Sequence, residues 1–125
     1  MYENEFELGA INIPGIDAQL GSDMYDGELD IFVAALRSFA THIPAALNSL
    51  SHVSAETLHE YATTVHGLKG SCASIGAEDL RARAADLEAK AKAGGLAGIL
   101  ALNEGLLEDV KTLIRHIHAW LDQEI

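Results

Sequence analysis

The chain has 125 residues, 49% of them hydrophobic and 22% charged, which suits one domain around one core and leaves no room for a second. Eight Lys and Arg against nineteen Asp and Glu give a formal net charge of −11, so polyanionic partners such as nucleic acid and anionic membrane surfaces are disfavoured. The start, MYENEFELGAINIPG, lacks the basic end and apolar run of a signal peptide, and no stretch approaches the roughly 18 to 20 apolar residues of a membrane span. The single Cys72 allows neither an internal disulfide nor a cysteine-rich zinc site, and the whole pattern points to a soluble, cytoplasmic protein.

Residues 1–13 are acidic and show no sustained period, so they read as a flexible lead-in to a domain over 14–125, with a short helical turn expected at Ile16 to Leu20. From Glu28, the spacing of Leu29, Phe32, Val33, Leu36, Phe39 and Ala40 predicts a helix with one apolar stripe. Pro44 should kink it before Ile43, Ala46, Leu47 and Leu50 continue the stripe. Ser54 suits an N-cap with Glu56 at the positive helix end, and Gly76 suits a stop, which places a second helix at about Ala55 to Ile75. A third runs from about Glu78 to Ala93 with Leu80, Ala84, Leu87 and Ala91 inward, and ends at Gly94-Gly95. The fourth carries a stripe of Ile99, Leu102, Leu106, Val110, Leu113, Ile117 and either Trp120 or Leu121. No β-branched alternation of strand length occurs, and four amphipathic helices with short loops imply an all-α, antiparallel up-down-up-down four-helix bundle with a short N-terminal extension.

Six histidines are the obvious chemical candidates. His42 and His52 lie near the kink and a loop, where a solvated imidazole is ordinary. His116 and His118 are two apart and point about 200° from one another, so they cannot share a metal. Glu56 and His59 form a Glu-x-x-His pair, but no second copy accompanies it, and no metal site is expected.

His66 differs. At about 100° per residue, Leu58, Tyr61, Val65, Leu68, Cys72 and Ile75 define the buried stripe of the second helix, and His66 falls on the opposite, solvent-facing side. Its surface neighbours are Ala62, Thr63, Lys69, Gly70 and Ala73, all small except the lysine. Such a ring lets another protein's surface approach the imidazole. Gly67 and Gly70 inside a helix each cost about 0.5 to 1 kcal/mol relative to Ala, a loss that close helix packing explains equally well for Gly67 and that access explains better for Gly70. Lys69, bland as a solvated surface lysine, is also placed to neutralise an anionic group carried by the imidazole. Cys72, on the buried stripe, reads as a small hydrophobe.

The run His66-Gly67-Leu68-Lys69-Gly70-Ser71-Cys72-Ala73-Ser74-Ile75-Gly76-Ala77 resembles the signature of histidine phosphotransfer (HPt) domains, with weaker similarity from Pro14-Gly15-Ile16-Asp17 through Leu36-Arg37-Ser38-Phe39 to Leu87-Glu88. Val65 stands where alanine is frequent, and Gly67 where a bulkier residue is common. The resemblance implies that His66 accepts a phosphoryl group from the aspartyl phosphate of a response-regulator receiver domain and passes it to another receiver's aspartate. By the same resemblance Lys69 supports the phosphate, and Ala62, Thr63, Gly70 and Ala73 form the receiver-docking surface. The Mg²⁺ comes from the receiver, with no cofactor on this chain, and a hybrid histidine kinase is a further partner. A neutral imidazole needs no activating base for this chemistry, and no glycine-rich nucleotide loop is present, so the chain should act as a phosphotransfer intermediate without kinase activity of its own. Two other readings stay open: a non-catalytic helical interaction module, and the phosphoacceptor domain of a chemotaxis-type histidine kinase.

Overall fold

A computed structural model describes residues 6–124. Its regular elements are helical: α1 (Ala18–Asp23), α2 (Leu29–Leu50), α3 (Leu58–Ser74), α4 (Glu78–Lys92) and α5 (Leu96–Glu124), with single 3₁₀ turns at Leu8–Ala10 and Ala55–Thr57. The four long helices enclose one core, α3 packing chiefly on α2 and α4, and α5 on the same two helices from the other side.

The expected stripe of α2 is buried from Leu29 through Ile43 to Leu47 and Leu50, with Ala46 half-buried. The helix runs through Pro44 as a single element. Proline removes one backbone hydrogen bond, but Ala40, Ile43 and Leu47 hold the turns on either side against the same core. The chain enters α3 through the 3₁₀ turn, where the Ser54 N–H donates to Thr57 Oγ1 at 2.8 Å, so the α-helix proper starts later than the capping signal suggests.

Gly76 ends α3 for a compelling steric reason. Its φ is +77°, and a Cβ there would collide with the Asp17 carbonyl oxygen. That closeness lets the Asp17 N–H donate to the Gly76 carbonyl at 2.9 Å, and Tyr25 Oη donates to the Ser74 carbonyl at 2.9 Å, so α1 and the turn after it are fastened to the end of α3. The helical turn expected at Ile16 to Leu20 is displaced into α1, whose first turn is capped by Asp17 Oδ1 accepting from the Leu20 N–H.

Two expectations need correction. Of the supposed flexible lead-in, residues 1–5 lie outside the described residues, and residues 6–13 are anchored to the core through Phe6, Leu8, Ile11 and Ile13. Ile11 and Ile13 are buried in the core, Trp120 Nε1–H donates to the Ala10 carbonyl at 3.0 Å, and the Phe6 ring lies 6.1 Å from that of Trp120. Two isoleucines are too few to show a period, yet they bury enough apolar surface to seat the strap. On α5, Leu102 is 48% exposed, and the inward position is taken by Asn103. The amide is satisfied there: Tyr61 Oη donates to Asn103 Oδ1 at 2.7 Å, and Asn103 Nδ2 donates to the Leu50 carbonyl at 3.0 Å. Trp120 and Leu121 are both buried.

Candidate functional site

With Tyr61, Val65, Leu68 and Cys72 buried, α3 presents His66 outward, and its side chain is 64% exposed. Beside the ring, on α4, stands a carboxylate that helical reading of α3 does not reveal. Glu88 Oε2 lies 2.9 Å from His66 Nδ1, and Glu88 Oε1 accepts from Lys69 Nζ at 2.6 Å. Lys92, one turn along α4, places its Nζ 3.0 Å from Oε2, so a carboxylate only 6% exposed has three nitrogen partners.

The electrostatics fix the proton. The Lys69 hydrogen bond, followed by that of Lys92, holds Glu88 down at about 2 against the opposing effect of burial, with the His66 contact adding to the lowering. An ionised carboxylate can only accept, so His66 Nδ1 carries a hydrogen, and in the neutral form of the ring the lone pair is left on Nε2. In a five-membered ring the outward directions at the two nitrogens differ by roughly 140°, so the free lone pair is aimed away from α4. The result is an oriented, solvent-facing imidazole whose Nε2 is free to act as a nucleophile, backed by a buried anion.

The neighbours expected around His66 divide into two groups. Thr63 and Gly70 are exposed, and a Cβ built on Gly70 meets nothing within 4 Å. Ala62 and Ala73 are half-buried, and Ala62 packs against the core. Gly67 is exposed and equally open, which removes helix packing as the reason for that glycine. Lys69 is not a freely solvated lysine, since its ammonium is committed to Glu88 and its side chain is only 29% exposed. Glu88 and Lys92 were the residues sequence reasoning missed. Their signal was available in α4, because position 88 follows Ala84 by four and precedes Ala91 by three, and a charge at the edge of an inward stripe requires a partner.

The remaining candidates stay apart from this cluster. His42 Nδ1 lies 2.9 Å from the carbonyl of Ser38 on its own helix, and His52, His59 and His118 are exposed. Burial pushes the Cys72 thiol up to about 12, which leaves it without thiolate character at neutral pH. Among the described residues, no group of three or more His, Cys, Asp or Glu side chains is placed to hold a metal ion, and no helix is long and apolar enough to cross a membrane.

No curated protein and no solved structure matches the chain. The family model described as the Hpt domain does match it, over residues 29–123, from the first turn of α2 to nearly the last residue of α5 and across the whole His66 cluster. The chain therefore belongs to the Hpt domain family, whose members carry phosphoryl groups on histidine in phosphorelays and exchange them with receiver domains.

Proposed function

We propose that His66 Nε2 takes a phosphoryl group from the aspartyl phosphate of one receiver domain and passes it to the aspartate of another, the four long helices forming an up-down-up-down antiparallel bundle that holds the ring outward. The observation that carries this reading is the His66 Nδ1 to Glu88 contact of 2.9 Å beside an open, glycine-flanked face.

In the forward step the Nε2 lone pair forms the N–P bond as the acyl P–O bond breaks, and the aspartate leaves with the bonding pair as a carboxylate. The ring keeps its Nδ1 hydrogen and becomes a phosphoimidazolium, whose positive charge Glu88 stabilises across the hydrogen bond. The return step reverses these bonds onto a second aspartate, and the imidazolium leaves as neutral imidazole. Lys69 fixes the carboxylate and, with Lys92, supplies positive charge near the transferred group. Thr63 and Gly70, with Ala62 and Ala73 set lower at the edges, form the face that meets the receiver. The receiver brings the Mg²⁺ that its own aspartyl phosphate requires. The setting is the cytoplasm, where receivers are phosphorylated.

The test is labelling by phosphorylated receivers from the source organism. The parent chain should acquire an acid-labile, alkali-stable phosphate. His66→Gln should acquire none, while replacement of His42, His52, His59, His116 or His118 should leave labelling intact. Labelling that persists in His66→Gln sinks the assignment.

A further inference from the structure

We propose that the flank formed by α4 and α5, on the side of α4 away from His66, is a two-fold interface through which two copies of this chain pair with α4 antiparallel to α4.

The flank centres on Leu102, which is 48% exposed although the bundle buries the other leucines of that stripe. The side chain borders an open groove of about 220 Å³ with Ala82, Leu87 and Leu106, and Arg83 and Asp86 form the rim. Gly98 and Gly105 lie one turn before and one turn after it on α5, so the leucine stands clear of those turns. The Lys90 stem lies across the first of them, its Cε 3.1 Å from where a Gly98 Cβ would be. The order of charge along α4 says what covers this apolar ground. Asp79, Arg83, Asp86 and Lys90 alternate in sign and fall within about 60° of arc on one face of the helix. The series is its own complement when reversed, because Asp79 and Lys90 are equally distant from the point midway between Arg83 and Asp86. An antiparallel copy in that register sets each Asp79 opposite a Lys90 and each Arg83 opposite an Asp86, whereas parallel helices in register would set like against like. The two central residues are the ones that rim the Leu102 groove, so the same axis turns the leucine of each copy toward the other.

Within one chain these charges already balance. Lys90 Nζ lies 2.7 Å from Asp86 Oδ2, and Arg83 Nη1 lies 3.7 Å from Asp79 Oδ2 and 2.7 Å from Asp109 Oδ2. The Asp79 and Asp86 side chains are 83% and 52% exposed, so each keeps oxygen lone pairs able to accept from a second copy. The α4 series sums to zero on a molecule that carries −11, and a copy approaching here meets little of the repulsion that the acidic surface presents elsewhere. Burial of Leu102 supplies the attraction and the charges fix the register, since exposed ion pairs contribute little by themselves. All four α4 residues lie roughly 140° to 180° around the helix from Glu88, so both His66 rings stay open in the pair.

The experiment is sedimentation equilibrium of the full chain from micromolar to millimolar concentration, comparing the parent with Leu102→Glu, Arg83→Glu, Asp86→Arg and the double variant Arg83→Glu/Asp86→Arg. The parent should pass from the mass of one chain toward twice that mass. Each single variant should weaken association by about tenfold or more, because it brings a charge into the apolar centre or sets like charges opposite each other on both sides of the axis. The double variant exchanges the two central signs and keeps the series complementary to its own reverse, so association should return to within a few-fold of the parent. Urea unfolding of each variant establishes that the chains compared are folded. A parent that stays monomeric throughout overturns the proposal and leaves the flank to a different partner. Association that survives Leu102→Glu overturns it too, as does a double variant no better than its singles, which would refute the antiparallel register. Phosphoramidate, a small phosphodonor, should label His66 equally in parent and variants, and a loss of labelling confined to Leu102→Glu would overturn the separation of the interface from the ring.

Discussion

Replacing Glu88 with Gln preserves shape and keeps an oxygen for His66 Nδ1–H, but removes the charge that three nitrogens share. The folded protein holds this carboxyl at about 2, against an ordinary value of 4.5. A depressed folded value means the charged form stabilises the fold above the unfolded value, and that this contribution is lost as pH falls from about 4.5 through about 2. Full conversion of the displacement would give roughly 3 kcal/mol. Two of the three partners, His66 and Lys92, are 64% and 67% exposed, so solvent screening brings the contribution down to about 1 kcal/mol. Glu88→Gln should therefore be less stable than the parent by about 1 kcal/mol at pH 6. The two proteins should converge near pH 2, where the parent carboxyl is substantially protonated. The assay is urea unfolding of both proteins at several values between pH 6 and pH 2, taking the difference so that all other carboxylates cancel. A stability difference that stays constant across this range refutes the argument, because it would mean that shape and not charge is what Glu88 contributes. The same variant should also transfer phosphate more slowly, on the order of tenfold to a hundredfold, since the imidazolium formed on transfer loses its counter-charge.

Gly70→Gln has room for its side chain, so it should raise the unfolding free energy by about 0.5 to 1 kcal/mol while receiver transfer collapses; a destabilised protein would contradict the open surface. Lys69→Ala should slow transfer and also lower stability measurably in urea, because it deprives the buried Glu88 of its shortest contact; equal stability would return Lys69 to the status of a solvated surface lysine. Tyr61→Phe leaves Asn103 Oδ1 without its donor in the core and should cost about 1 to 3 kcal/mol in denaturant unfolding while phosphoramidate labelling of His66 is retained; a neutral effect would show that the amide finds another partner.

Local periodicity was enough to locate the helices. The stripes of α2, α3 and α4 are one-dimensional patterns, and a helix converts such a pattern directly into a buried face. It failed on α5 at positions 102 and 103, where local hydrophobicity favoured leucine and the core accepted asparagine. The deciding groups, Tyr61 Oη and the Leu50 carbonyl, are 42 and 53 residues away in the chain. The same limit hid half of the site. His66, Lys69 and Gly70 lie within one turn and a half of helix, and their relation can be read from spacing. Glu88 is 22 residues from His66, and among nineteen acidic residues nothing in its identity separates it from a solvated glutamate. Only its place at the edge of the α4 stripe does. The strap at Ile11 and Ile13 escaped because irregular backbone carries no period at all.

The charge at the site runs against the charge of the chain, and this contrast separates what the protein repels from what it receives. The whole molecule carries −11. Around the ring, one carboxylate and two ammonium groups leave a local excess of one positive charge beside the imidazole. On the proposed transfer, a phosphoryl dianion arrives and the ring gains one positive charge, so the cluster becomes neutral. The site is thus most attractive to the phosphoryl group before transfer and indifferent to it afterwards, which suits a carrier that must also release its cargo. The favourable field is short in range, because at physiological salt the Debye length is about 8 Å, whereas the acidic surface acts on any polyanion that approaches as a whole. A receiver must therefore come into contact before its phosphoryl group gains from the lysines, and contact depends on how closely its surface can settle on α3. On the proposed reading Gly70 keeps that distance short, at the cost of helix stability and with no packing advantage in return, since a Cβ there would meet nothing within 4 Å.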